Sequence, residues 1–267
     1  MLPAEFEGRM RALEVFHTLR LPPGAWVILR LDGRGFSRFT ETRFEKPFDA
    51  RFHDGMVQTA RAVLEDLQGH YVYTESDEIS VLLPRPWDLF DRELEKAVSL
   101  SAGLASSTFS LSCGTRVQFD SRAIVAALDE QVVDYFRWRQ ADAARCALNG
   151  WAYWTLRKAG QGVAEATAAL EGKSVADKNE LLFRTGINFN DLPLWQRRGT
   201  GLYWERYDRA GYNPKLDQKT VASRRRLKVD RELPLGEEYH LGPKDLTHGV
   251  TRPRRSLPRL RGSRDLP

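Results

Sequence analysis

WVILRLDGRGFSRFT, residues 26–40, sets a short apolar run against a carboxylate, two glycines and three arginines. Trp26 to Leu31 follows a Pro-Pro-Gly signal and reads as a buried strand. Asp32 closes it. Gly33 and Gly35 let the backbone come close to a bound group, because no Cβ intervenes. Their N–H groups, with Ser37, can point at phosphate oxygens. Arg34, Arg38, Arg43 and Lys46 supply cations for the same kind of anion. Alone, the motif is weak. Asp-Gly after a strand is commonly a plain turn, and Arg38 stands where a dinucleotide fingerprint has its third glycine.

Downstream, Phe48, Phe52, Met56, Ala60, Val63, Leu64 and Leu67 step by three and four. That spacing predicts an amphipathic helix with Pro47 near its first turn. HYVYTESDEISVLL, residues 70–83, predicts a β-hairpin in which the polar segment Glu75–Glu78 joins two strands. Residues 87–109 read as a helix, and TRVQFDSRAIVAAL, residues 115–128, as a strand or strand pair. Strand, helix, hairpin, helix, strand is the split-βαβ, ferredoxin-like order. It predicts an α+β fold with an antiparallel sheet and helices on one face. Beyond Leu128 the chain becomes helical and aromatic-rich, with a second helix at VADKNELLFR before a stop at Gly186. GTGLYWERY and RRRLKV read as polar strands. The expected organisation is residues 1–135, 136–240 and a basic tail, 241–267.

The chain has 267 residues, 42% hydrophobic and 29% charged, as in ordinary globular proteins. No apolar run is long enough to span a membrane, and the N-terminal stretch, with three glutamates, has no secretory core. Cys113 and Cys146 sit in no metal or disulfide spacing, so a reduced, cytoplasmic protein is expected. The net charge of +5 equals the balance from Lys244 onward, seven Lys/Arg against two Asp/Glu. That tail is read either as a solvated end or as an arm touching phosphates.

In this fold order the first strand and the hairpin lie side by side, which brings Asp32 toward Asp77, with Glu78 next to it. Two such carboxylates make a hard-oxygen site suited to magnesium, whose shell is completed by waters and substrate phosphates. Two ions of this kind can clamp an in-line phosphoryl displacement. The five histidines are scattered, and no nucleophile–histidine constellation is apparent. Trp138, Trp151, Tyr153 and Trp154 are read as core or oligomer contacts, with base stacking the alternative. Ser223–Pro234 is a charge run, an exposed strand or a phosphate contact.

RLDGRGFSRF, SDEISVLL, FDSRAIV, WRQAD, ADKNELLF and GTGLYWERY occur here in the order found in the tRNA(His) guanylyltransferase family, and the chain from Val27 to Tyr207 resembles it. The family adds nucleotides to the 5′ end of tRNA in the 3′-to-5′ direction, on a polymerase-palm-like domain, as a tetramer. The resemblance implies that Asp32, Asp77 and the Gly33 carbonyl bind two magnesium ions, with Glu78 in support. It implies that Asp32, Gly33, Arg34, Gly35, Phe36 and Ser37, with Ser76 and Asp77, hold GTP or ATP. Lys46 would contact activating phosphates. Arg92, Lys96, Arg122, Lys178 and Asn179 match positions near phosphates or tRNA. Where the eukaryotic enzymes carry His-Ile-Asn-Asn after WRQAD, this chain has Ala144, Arg145, Cys146 and Ala147. That departure favours the branch that repairs 5′-truncated tRNA against a template. The rival expectations are single-guanylate addition, a palm-fold nucleotide cyclase, and a non-catalytic RNA-binding module.

Overall fold

The computed structural model describes residues 4–213 and 217–239. The basic tail, 241–267, lies outside the described residues. Ala4–Arg11 (α1) buries none of its side chains. Trp26–Gly33 (β1) leads into Phe36–Arg43 (α2) and Ala50–Asp66 (α3). The hairpin Tyr71–Glu75 (β2) and Glu78–Leu83 (β3) is followed by Leu94–Cys113 (α4) and Phe119–Ala126 (β4). Asp129–Lys158 (α5), Val163–Leu170 (α6), Val175–Arg184 (α7) and Leu194–Arg198 (α8) precede a long ribbon, Thr200–Asn213 (β5) and Gln218–Asp230 (β6). The six strands form one antiparallel sheet in the order β4-β1-β3-β2-β5-β6.

Alternation along β1 explains the layers. Val27, Leu29 and Leu31 point to one face and pack on Met56, Ala60 and Leu64 of α3 and on Phe109 of α4. These helices share a face, as the element order predicts. Ile28 points the other way, with Tyr73 and Leu82, and meets Val132, Tyr135, Phe136 and Ala143 of α5. The second face is therefore covered too, which is why β1 and β3 read as nearly continuous apolar runs. α5 passes unbroken through residue 135, and β5 pairs with β2, so both halves of the chain build one sheet.

One local reading needs correction. α4 begins at Leu94, not Trp87. Phe90, Asp91 and Arg92 have φ of 58°, 50° and 59°, which breaks the chain into a 3₁₀ turn at Leu89–Arg92 before the helix starts. Pro47 lies near the first turn of α3, two residues before its cap. Asp49 caps the helix, its carboxylate accepting the Arg51 N–H at 2.7 Å. Within residues 115–128, Phe119–Ala126 make one strand, β4, the first of the two readings, with no partner on its outer edge among the described residues.

Phe36, at the start of α2, is the hub where β1 meets the helices. Its ring lies 5.0–5.5 Å from those of Phe119, Phe39 and Phe109, centroid to centroid. Gly33 makes room for it: a Cβ there would fall 2.5 Å from the Phe36 ring. Gly33→Ala is expected to cost about 1–3 kcal/mol by overpacking. Thermal denaturation of this variant beside Gly33→Ala/Phe36→Leu checks the cause, because the smaller partner should recover part of the loss.

Candidate active site

The register of the sheet sets a row of carboxylates at one end. Asp32 is opposite Asp120 on β4 and opposite Glu78 on β3, and Glu78 is opposite Glu75 on β2. All four share the parity of Ile28, so they stand on the α5 face. Ser76 and Asp77 form the hairpin turn just beyond the row. Ser76 has a φ of 47° and its hydroxyl donates to Asp77 Oδ1 at 3.1 Å. Like charges directly opposite one another in a sheet repel. Burial, and then the neighbouring Asp32, push the Asp77 carboxyl up to about 6. Burial, and then Glu78, push Glu75 up to about 8.

Two arginines relieve part of this crowding. Arg122 reaches Asp120 at 3.2 Å along β4. Arg139 of α5, 7% exposed, donates from Nε to Glu78 Oε1 at 2.8 Å, and its Nη2 lies 2.7 Å from Oε2. The same Nη2 bonds Asp142 at 3.0 Å. Among the described residues Asp32, Asp77 and Glu75 have no arginine of their own; burial holds Glu75 toward its neutral form, which leaves Asp32 and Asp77 as oxygen donors, a set of the kind magnesium takes. Their mutual crowding and the raised Asp77 are what a cation between them would relieve, so the residues fit the ion.

Asp77, but not Asp32, lines a cavity of about 420 Å³ between α2, the loop before α3, the hairpin turn and α5. Ser37, Ser76 and Asp77 border it at the acid end; Phe48, Trp154 and Trp195 border it elsewhere. Its volume suits a nucleoside-sized ligand. Lys46 leans into it, its Nζ 2.5 Å from Thr40 Oγ1 and 5.9 Å from the Trp154 ring. Burial lowers the Lys46 pKa, while Glu41 and Asp77 oppose that shift. The loop is fixed by Asp49, which accepts the Glu45 N–H at 2.9 Å. Gly35 (φ 73°) opens α2 without a side-chain cap, so the first-turn amides of this helix are available beside Asp32.

Asp32, Ser37, Lys46, Ser76, Asp77 and Glu78 therefore come together. Arg34 is exposed, and its backbone N–H is taken by Gln118 O at 2.8 Å. Phe36 belongs mainly to the core. The nucleotide role expected for Arg92 and Lys96 is not met within one chain. Both lie at the opposite end of the sheet, near Leu21. Arg92 is 9% exposed and donates to the carbonyls of Leu21, Pro22 and Trp87, which hold the kink before α4. Lys96 pairs with Glu93 at 2.9 Å. At that end, ligand atoms of His17, Glu93 and Glu95 lie within 4.8 Å of one another, but Lys96 already satisfies Glu93. Lys178 and Asn179 sit half-buried on α7, which packs on α5, and Asn179 donates to Val175 O at 2.9 Å. Trp138 is 54% exposed, between Arg30 and Arg139.

Sequence reasoning missed Arg139, Asp142, Glu75 and the Trp195–His53 stack. The signal for Arg139 was present: it falls in the buried stripe of α5, among Val132, Tyr135, Phe136 and Ala143, where an arginine demands an acid partner. His53 stacks on Trp195 at 4.1 Å, and burial lowers its pKa to about 4. Because the folded state disfavours the imidazolium, His53 lends stability above pH 6.5 that is lost as pH falls toward 4. The loss is at most about 3 kcal/mol. His53→Gln should flatten that part of the stability–pH curve, measured by urea denaturation between pH 7 and 4.5.

Two family models match the chain, one described as tRNAHis guanylyltransferase over residues 7–136 and one as Thg1 C terminal domain over residues 130–237. The tRNA(His) guanylyltransferase of Debaryomyces hansenii is 34% identical over 236 residues, covering 83% of this chain and 88% of that protein. tRNA(His) guanylyltransferase 1 of Arabidopsis thaliana is 34% identical over 199 residues; the match covers 69% of this chain and 35% of that longer protein. A bacterial tRNA(His) guanylyltransferase (Thg1)-like protein solved in complex with GTP superposes with a TM-score of 0.66 at 29% identity, over 86% of this chain and 93% of that one. A structure of such a protein in complex with ATP gives 0.69 at 28%, with the same coverage. Matched by these two family models along most of its length and sharing its fold with these structures, the chain belongs to the tRNA(His) guanylyltransferase family of nucleotidyltransferases.

Proposed function

We propose that this protein is a magnesium-dependent nucleotidyltransferase that extends the 5′ end of tRNA in the 3′-to-5′ direction, repairing 5′-truncated tRNA against a template. The observation that carries the reading is the convergence of Asp32 and Asp77 beside a cavity of about 420 Å³. GTP and ATP, named with the bacterial neighbours, are the nucleotides we assign to that cavity.

A 5′-monophosphate is a poor electrophile, because its oxygen leaves badly. Transfer of AMP or GMP from a triphosphate onto that phosphate, with loss of pyrophosphate, makes a linkage with a good leaving group. The 3′-hydroxyl of the next nucleotide then displaces the nucleoside monophosphate. Both steps are in-line phosphoryl transfers that need cations and positioning, not a protein nucleophile. Magnesium, when bound, supplies the positive charge that neutralises the reacting phosphates. Asp32, Asp77 and the Gly33 carbonyl would hold it. The first-turn amides of α2 and the Ser76 hydroxyl receive phosphate oxygens, and Lys46 adds a cation at the cavity wall. Trp154 and Phe48 give the base an apolar face to rest against.

Arg224, Arg226 and Lys228 lie on one exposed face of β6, with Tyr207 opposite Arg224. This stripe, with Arg122, Lys178 and Asn179, suits the phosphates of an RNA longer than the cavity. Ala144 to Ala147, in place of His-Ile-Asn-Asn, favour repair over strict tRNA(His) guanylylation. We assign a tetramer as the working assembly, which sedimentation of the purified chain measures.

Incubation with 5′-truncated tRNAs, labelled nucleotides and magnesium tests the reading. Growth with every template-matched nucleotide supports repair; a single guanylate on tRNA(His) alone points to the second activity. Chelation of divalent ions should stop both, and added magnesium should restore them. Asp77→Ala is expected to slow extension by at least about 10²-fold while tRNA affinity stays near wild type. Turnover close to wild type in that variant refutes the metal assignment.

A further inference from the structure

Glu78 faces Asp32 across the sheet, yet its carboxylate is fully engaged. Arg139 grips both of its oxygens, and Ser80 Oγ donates to Oε1 at 3.1 Å. Ser80 is itself 2.8 Å from the Tyr135 hydroxyl, so the acid is held from two positions of α5. The Arg139 guanidinium is in turn fixed by Asp142 and by the Trp138 ring, 4.6 Å from its carbon. A surface arginine that merely screened charge would need none of this packing.

We propose that Arg139 is a positioning residue that withdraws Glu78 from the cation's coordination shell, leaving the shell to Asp32 and Asp77, and that pins the strand end bearing the Ser76–Asp77 turn. The inference rests on the nucleotidyltransferase reading above. Its physical basis is the small shell of magnesium, which binds through one or two carboxylates and leaves its other positions to water and substrate phosphates. A free third carboxylate in the row would bind the cation more tightly and take a position that a phosphate oxygen must fill. Arg139 thus gives up cation affinity for open coordination sites. A salt bridge serving stability alone predicts the opposite sign: its loss loosens the site and weakens cation binding.

The test compares Arg139→Gln, Arg139→Lys and the double variant Glu78→Gln/Arg139→Gln in the full chain. Removing Arg139 unmasks one negative charge beside Asp32 and Asp77, so Mn²⁺ affinity, read by electron paramagnetic resonance, should rise about tenfold in Arg139→Gln. Its kcat for 5′ extension should fall at least about tenfold, because Glu78 occupies a substrate position. The double variant removes the unmasked charge, and its Mn²⁺ affinity should return close to wild type. Arg139→Lys keeps the charge without the fork; it should keep Mn²⁺ affinity and lose kcat. A folded Arg139→Gln that binds Mn²⁺ as weakly as wild type, or more weakly, overturns the proposal. If that variant does not fold, a lysine variant with wild-type kcat overturns it instead. Wild-type protein that binds Mn²⁺ but extends no RNA refutes the function and leaves the Arg139 prediction readable in the Mn²⁺ data alone.

Discussion

Asp120, Asp32, Glu78 and Glu75 stand in one row on one face of an antiparallel sheet. Repulsion within that row is the constraint around which the molecule is organised. Two of the acids are answered by arginines, Asp120 by its neighbour Arg122 and Glu78 by Arg139 from the helix above. Glu75 has no arginine among the described residues and is held toward its neutral form by burial, so the unanswered charge is at Asp32 and at Asp77 in the turn, where the proposed function places a polyphosphate and its counter-ions. The strands supply the crowding, and α5 decides where it is relieved.

That arrangement depends on two-sided packing. The β1 side chains on one face anchor α3 and α4, and those on the other anchor α5. The chain after Asp230 reinforces the second contact. Leu233 and Tyr239 are buried in the same cluster, the Tyr239 hydroxyl lies 2.5 Å from that of Tyr71, and Gln140 donates to Pro234 O at 2.8 Å. The segment ties the sheet end of the ribbon back to the helix that carries Arg139.

Much of this was legible in the sequence, and the reasons differ by element. WVILRL, the alternating hairpin and the apolar spacing of α3 each carry their own periodicity, so local patterning was sufficient. The joining of Asp32 to Asp77 followed from topology, because the split-βαβ order places those strands side by side. The aromatic hub at Phe36 was not legible: it assembles from four elements, and only contact reveals that the missing Cβ of Gly33 makes room for a ring. The surroundings of Arg92 within one chain were hidden for a related reason. Its guanidinium is held by the main-chain carbonyls of Leu21, Pro22 and Trp87, beside a left-handed kink that no residue pattern announces. Arg139 was overlooked because WRQAD was read as a family signature and not as a charge placed in an apolar stripe.

α5 is one 30-residue helix, with Arg139 over the acids and Ala147, Tyr153 and Trp154 along the cavity wall. Each residue advances a helix by about 1.5 Å and turns it by about 100°. The acid clamp and the cavity wall are therefore phased by a single ruler. Loss or gain of one residue between positions 139 and 153 would swing the wall away while the clamp stayed seated.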